Sequence, residues 1–86
     1  MEVQIMYEAK IQMNSMESVQ DFVFGARKFD FDIDIEKGSI IYDAKSILGV
    51  ICLGLGNVLK VKYNDRNEDF EALLNRYRVA DAGAVL

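Results

Sequence analysis

The stretch Asp43-Ala44-Lys45-Ser46-Ile47-Leu48-Gly49-Val50-Ile51-Cys52-Leu53-Gly54 decides how the rest of the chain is read. Ser46 stands in front of an apolar run as an N-cap residue stands in front of a helix. Ile47, Leu48 and Ile51 recur at i, i+1, i+4, and Val50 and Leu53 fill the opposite side. The spacing predicts a short helix that is apolar nearly all round. One side of such a helix must enter the core, which leaves the other for a partner. Gly54 and Gly56 are placed to end it.

Working outward, Ile40, Ile41 and Tyr42 read as a strand entering that helix, and Gly38-Ser39 as the tight turn before them. Phe31, Ile33 and Ile35 alternate with Asp32, Asp34 and Glu36, the pattern of a strand with one buried and one wet face. Upstream, Val19, Phe22, Val23 and Ala26 fall at i, i+3, i+4, i+7. That spacing predicts a helix over 16–28 with Ser15 as N-cap, Glu17 in the first turn, and Arg27 and Lys28 complementing the C-terminal dipole. Val3, Ile5, Tyr7 and Ala9 alternate with Glu2, Gln4, Met6 and Glu8 as a first strand, broken at Met13-Asn14-Ser15-Met16. Downstream, Leu59, Val61 and Tyr63 alternate with Lys60 and Lys62 as a fourth strand. Asp65 and Glu68 have capping-box spacing, and Phe70, Leu73, Leu74 and Tyr77 give the stripe of a third helix. The expected order is β-α-β-β-α-β-α, an α+β domain with its helices on one face of an antiparallel sheet. It is read as one domain over residues 1–80 with a frayed tail over 81–86.

Eighty-six residues, 51% of them hydrophobic and 28% charged, with no proline, make ordinary globular material. A chain this short buries only about 60–65% of its unfolded surface, so packing has little in reserve. One cysteine allows no internal disulfide and suits a reducing compartment. The longest uncharged run, Ser46 to Leu59, contains three glycines and is short of the roughly 18–20 residues of a membrane span. The N-terminal residues lack the basic and small-residue features of a signal peptide, so the expected location is cytoplasmic. A formal charge of −4 with scattered basic residues argues against nucleic-acid binding. The chain contains no histidine. That removes a phosphohistidine, a Ser-His-Asp triad, a Cys-His pair and His-ligated zinc together.

The central stretch resembles the KSIMGVMSLG-like segment of HPr, the small phosphocarrier family of the bacterial sugar phosphotransferase system. Lys28-Phe29-Asp30 is similar to a KYD-like element of the same family at matching spacing. The resemblance runs from about Ser15 to Tyr77. It implies an HPr-like open-faced β-sandwich, with a four-stranded antiparallel sheet and three helices on one face. In the family a GLHARP-like motif places the phosphate acceptor at the N-cap of the first helix. Counted back from Lys28-Phe29-Asp30 without gaps, the acceptor position falls on Ser15, an arginine position on Glu17 and a proline position on Ser18.

The resemblance therefore implies a degenerate acceptor site. A serine hydroxyl without a base is a poor nucleophile. Glu17 also sets a carboxylate where a phosphate would meet a guanidinium, a repulsion of about 1–3 kcal/mol at ~6 Å. Ser46, by contrast, sits in surroundings similar to the family's regulatory serine, which an HPr kinase phosphorylates, adding a charge of roughly −1.5 to −2. Ile47, Leu48 and Ile51 match an exposed apolar knob that the family uses to meet kinase, Enzyme I and a transcriptional regulator. A Crh-like branch of the family has the same combination of regulatory serine and missing acceptor histidine.

Three readings follow. The chain is a regulatory adaptor switched at Ser46, an unmodified interaction module in which Ser46 only caps, or an atypical phosphocarrier using Ser15. Proteins are the expected partners, with no nucleic acid, no membrane, no cofactor and no catalytic set, and a dimer is left open. Asp30, Asp32 and Asp34 begin like a calcium loop, but Ile35 stands where glycine is needed and Ile41 where the closing Glu belongs. Gly54-x-Gly56 has no dinucleotide fingerprint around it. Cys52, inside the apolar helix, is expected to be a buried inert thiol.

Overall fold

The structure, a computed structural model, describes residues 5–79. Its elements run β1 (Tyr7–Gln12), α1 (Met16–Ala26), β2 (Ile33–Lys37), β3 (Ile40–Asp43), α2 (Ile47–Cys52), β4 (Val58–Tyr63) and α3 (Glu68–Asn75). This is the order expected from the sequence. The four strands form one antiparallel sheet in the order β1-β4-β2-β3. Residues 81–86, read as a tail, lie outside the described residues, as do residues 1–4 and Ala80.

One face of the sheet gives its alternate residues to the core: Ala9 and Ile11, Leu59, Val61 and Tyr63, Ile33 and Ile35. Against them pack Val19, Phe22, Val23 and Ala26 of α1, Val50 of α2 and Phe70, Leu73 and Leu74 of α3. Phe70 is the centre of an aromatic group, with Tyr63, Phe29 and Phe31 all edge-on to it at 5.0, 5.4 and 5.4 Å. The other sheet face stays wet and pairs its charges across strands, with Lys62 3.3 Å from Glu36 and 3.8 Å from Glu8.

Several local expectations shift. The first strand lies over Tyr7–Gln12, four residues later than its alternation began, because its partner β4 is in register from Tyr63↔Tyr7 to Val58↔Gln12. The phase of the pattern is kept through Ala9 and Ile11 into buried Met13, while Ile5 is exposed. Phe31 precedes β2 instead of belonging to it, because its ring is taken up by Phe29 and Phe70. α1 ends at Ala26, and Arg27 turns away from the helix carbonyls to donate from Nε to the Lys45 carbonyl. The cap of α3 is Asn67, whose Oδ1 accepts from the Asp69 and Phe70 N–H groups, so Asp65 and Glu68 form no capping box there. Tyr77 lies beyond α3. Its ring meets Phe22 edge-on and its hydroxyl donates to Asp21. Cys52 is exposed, contrary to the buried thiol expected, because α2 buries Gly49 and Val50 on its other side.

The hairpin between β2 and β3 turns at Gly38, whose φ of +60° is open to glycine without strain. At Gly49 the requirement is proximity: a Cβ there would stand 2.8 to 3.0 Å from Cγ, Cδ1 and Cβ of Tyr42. α2 can lie this close on β3 only because that position has no side chain.

The two edges of the sheet differ. Residues 77–79 run beside β1, with the Gln12 N–H donating to the Tyr77 carbonyl and the Val79 N–H to the Lys10 carbonyl, each at 2.9 Å. Among the described residues nothing pairs with the outer side of β3.

Candidate functional site

Two serine-capped helix starts carry the sequence's functional expectations, and the structure builds them differently. At α1, Ser15 adopts the extended conformation of an N-cap, and Ser18 answers it. The Ser15 Oγ accepts from the Ser18 N–H at 3.1 Å, and the Ser18 Oγ accepts from the Ser15 N–H, also at 3.1 Å. The Ser18 hydroxyl donates to the Ser15 carbonyl at 2.8 Å. The two hydroxyl oxygens are 3.0 Å apart, so the Ser15 proton points to Ser18. Both hydroxyls are committed to this reciprocal lock, and Glu17 adds an exposed carboxylate in the same turn.

At α2, Ser46 is exposed, and its Oγ accepts one bond, from the Gly49 N–H at 3.3 Å. Its carbonyl receives the Val50 N–H at 3.0 Å. The approach to it is fixed by residues that hydropathy patterns do not reveal. The Asp43 Oδ1 accepts from the Lys45 N–H at 2.8 Å, and the Asp43 carbonyl accepts from the Ser46 N–H at 3.0 Å. The Lys45 ammonium crosses to the Phe29 and Phe31 carbonyls at 2.7 and 3.0 Å. Arg27 Nε, whose guanidinium also lies 5.2 Å from the centre of the Phe24 ring, holds the Lys45 carbonyl at 2.8 Å. Arg27 and Lys45 thus tie the start of α2 to the segment that follows α1. This explains why Lys28-Phe29-Asp30 and the Ser46 stretch belong together: the first supplies a backbone carbonyl that the second requires.

The apolar residues that follow divide. Leu48 is 74% exposed, whereas Ile47 and Ile51 are half-buried and packed against the core. Cys52, one turn beyond Leu48, and Leu55, which follows the helix, are also exposed. Leu48 is the most exposed large apolar side chain on this helix.

Away from these two helix starts, Asp21 in the middle of α1 accepts hydrogen bonds from Tyr77 and Arg76, which hold its carboxyl below the usual range. Desolvation and the neighbouring Asp43, Asp32 and Glu36 push Asp34 the other way. The Tyr63 and Tyr77 hydroxyls are both pushed up to about 12 by burial and by their carboxylate partners, Glu71 and Asp21. Among the described residues no group of three His, Cys, Asp or Glu side chains could hold a metal ion, and no helix is long and apolar enough to cross a membrane.

No protein-family model and no curated protein matches the chain. Solved structures do. A phosphocarrier protein HPr from Bacillus anthracis is 28% identical, with a TM-score of 0.67 over 84% of this chain and 96% of that one. An HPr-C-His protein from Thermoanaerobacter tengcongensis is 27% identical, with a TM-score of 0.61 over 86% of this chain and 92% of that one. The fold is that of HPr.

Proposed function

We propose that this chain is an HPr-like regulatory or adaptor protein that carries no phosphohistidine, meets other proteins through α2, and is switched by phosphorylation at Ser46. The observation that carries the reading is the contrast between the two caps. Ser15 gives and receives within its own turn, beside a carboxylate. Ser46, exposed as Ser15 also is, accepts a single 3.3 Å bond and stands two residues before the most exposed large apolar side chain on the helix. A phosphoryl group on Ser46 would set nearly two negative charges beside Leu48, enough to turn an apolar contact surface into a mixed one. Partners of the HPr kinase or transcriptional-regulator kind suit such a surface. Ile47 and Ile51 support it from below, and Leu48 makes the contact.

The test is calorimetric titration of an HPr kinase with the parent chain and with Leu48→Asp. The variant should bind weaker by on the order of tenfold or more while its melting temperature stays that of the parent. Equal affinity would remove α2 as the contact surface.

A further inference from the structure

We propose that a second copy of this chain docks on the outer edge of β3, joining two sheets into one through an antiparallel pairing centred on Ile41. The hydrogen-bond pattern of the hairpin carries the argument. The Ala44 N–H donates to the Ile33 carbonyl, so in the register Ile35↔Tyr42 and Lys37↔Ile40 the alternate residues Ala44, Tyr42 and Ile40 face inward to β2. Ile41 and Asp43 therefore present their backbone groups outward. The Asp43 carbonyl is already taken by the Ser46 N–H. Among the described residues, Ile41 alone on this strand faces outward with both N–H and C=O uncommitted.

That edge also lacks the usual protection. Edge strands are ordinarily blunted by lysine, proline or a bulge. Here Ile40, Ile41 and Tyr42 are 53%, 59% and 38% exposed. Helix geometry adds a roof. Gly49 points at Tyr42, and at about 100° per residue Cys52 and Leu48 lie on the side of Gly49 turned away from buried Val50, overhanging the strand. The edge thus carries Ile40 and Tyr42 on the face that α2 covers and Ile41 beside Glu36 on the wet face, with, among the described residues, a free backbone donor and acceptor at its centre.

The occupant that fits without further assumption is the same edge rotated by a two-fold axis. Ile41 then exchanges both backbone bonds with its counterpart, and Ile40 of each copy lies opposite Tyr42 of the other. Charge permits this. The two Asp43 carboxylates fall four residues apart along the seam, about 13 Å, which exceeds the screening length of about 8 Å at physiological salt. The apolar area offered by Ile40, Ile41, Tyr42 and Leu48 is on the order of 400 Å² per copy, about half of one side of a standard stable interface. The assembly is a weak dimer in equilibrium with monomer. It does not rest on the adaptor reading, and because both surfaces include Leu48 a copy docked here competes with a partner on α2.

Sedimentation velocity from about 5 μM to 1 mM tests it, together with amide hydrogen exchange at both ends of that range. The parent should rise toward twice its monomer mass, with protection appearing at the Ile41 and Asp43 amides. Ile41→Lys should remain monomeric and keep its melting temperature, while Ile41→Thr, which keeps a strand-forming residue at the edge, should still self-associate. Three results would each overturn the proposal: a parent that stays monomeric up to 1 mM, dimerisation that survives Ile41→Lys, or mass growth without protection at those two amides.

Discussion

Replacing Gly49 by alanine puts the packing of α2 on β3 to a quantitative test. The new methyl would sit 2.8 Å from Tyr42 Cγ, 2.9 Å from Cδ1 and 3.0 Å from Cβ. Because Cβ is anchored to the strand, a rotation of the ring relieves only part of the clash, and overpacking of this kind costs about 1–3 kcal/mol. Alanine at a helical glycine returns about 0.8–1.0 kcal/mol of propensity. The net expectation is a loss of roughly 1 kcal/mol, read as about 4–8 °C in melting temperature for a domain of this size. The sign of the effect in a second background is sharper than its size. With the side chain removed by Tyr42→Gly, the same Gly49→Ala change should stabilise, because all three contacts are gone and the propensity remains. Urea denaturation of the parent, the two single variants and the double variant gives the coupling directly. If Gly49→Ala were stabilising by the same amount in both backgrounds, the close approach of α2 to Tyr42 would not be what that glycine is for.

Three further outcomes follow from the caps and carboxylates. Ser15→Ala, which breaks a reciprocal pair, should cost about 1–2 kcal/mol in urea denaturation, and Ser46→Ala, which loses one long bond, about 0.5. The two values in reverse order would overturn the contrast between the sites. Asp21 is held below its ordinary pKa by Tyr77 and Arg76, so its contribution is present at neutral pH and is lost as pH falls through the folded-state value, below the ordinary 3.8. The melting temperature of Asp21→Asn should accordingly lie below that of the parent at pH 7 and converge on it in strong acid. Asp34 is raised, so its ionisation opposes folding above its folded-state value, and the penalty fades as pH falls toward 3.8. Asp34→Asn should stabilise modestly at pH 7, by a few tenths of a kcal/mol for a like-charge cross-strand neighbour, and be neutral near pH 3.

The parts of the fold legible in the sequence are those where one residue type repeats at one period. Val19, Phe22, Val23 and Ala26 are all buried, as their spacing requires, and Leu59, Val61 and Tyr63 likewise. A six-residue helix is too short for a period to declare itself, which is why Cys52 was expected inside and lies outside. Alternation also cannot tell a central strand from an edge. Ile40 and Ile41 look like core residues in the sequence and are exposed in the structure. At the site, Ser15 was legible as a cap, but its answering residue was not, because the usual partner three residues on is Glu or Gln and here it is Ser18. The crossing of Lys45 to the Phe29 and Phe31 carbonyls joins segments more than a dozen residues apart and leaves no local pattern to read. Leu48, Ile47 and Ile51 look equivalent in sequence. Only packing separates the first as the exposed one.

In the proposed function, phosphate chemistry on this chain belongs to α2 and not to α1. Intact-mass measurement after incubation with ATP and an HPr kinase tests it most directly, with Ser46→Ala and Ser15→Ala run beside the parent. One added phosphoryl group on the parent and on Ser15→Ala, absent from Ser46→Ala, is the predicted result. No addition to the parent, or an addition that survives Ser46→Ala and disappears in Ser15→Ala, would contradict it.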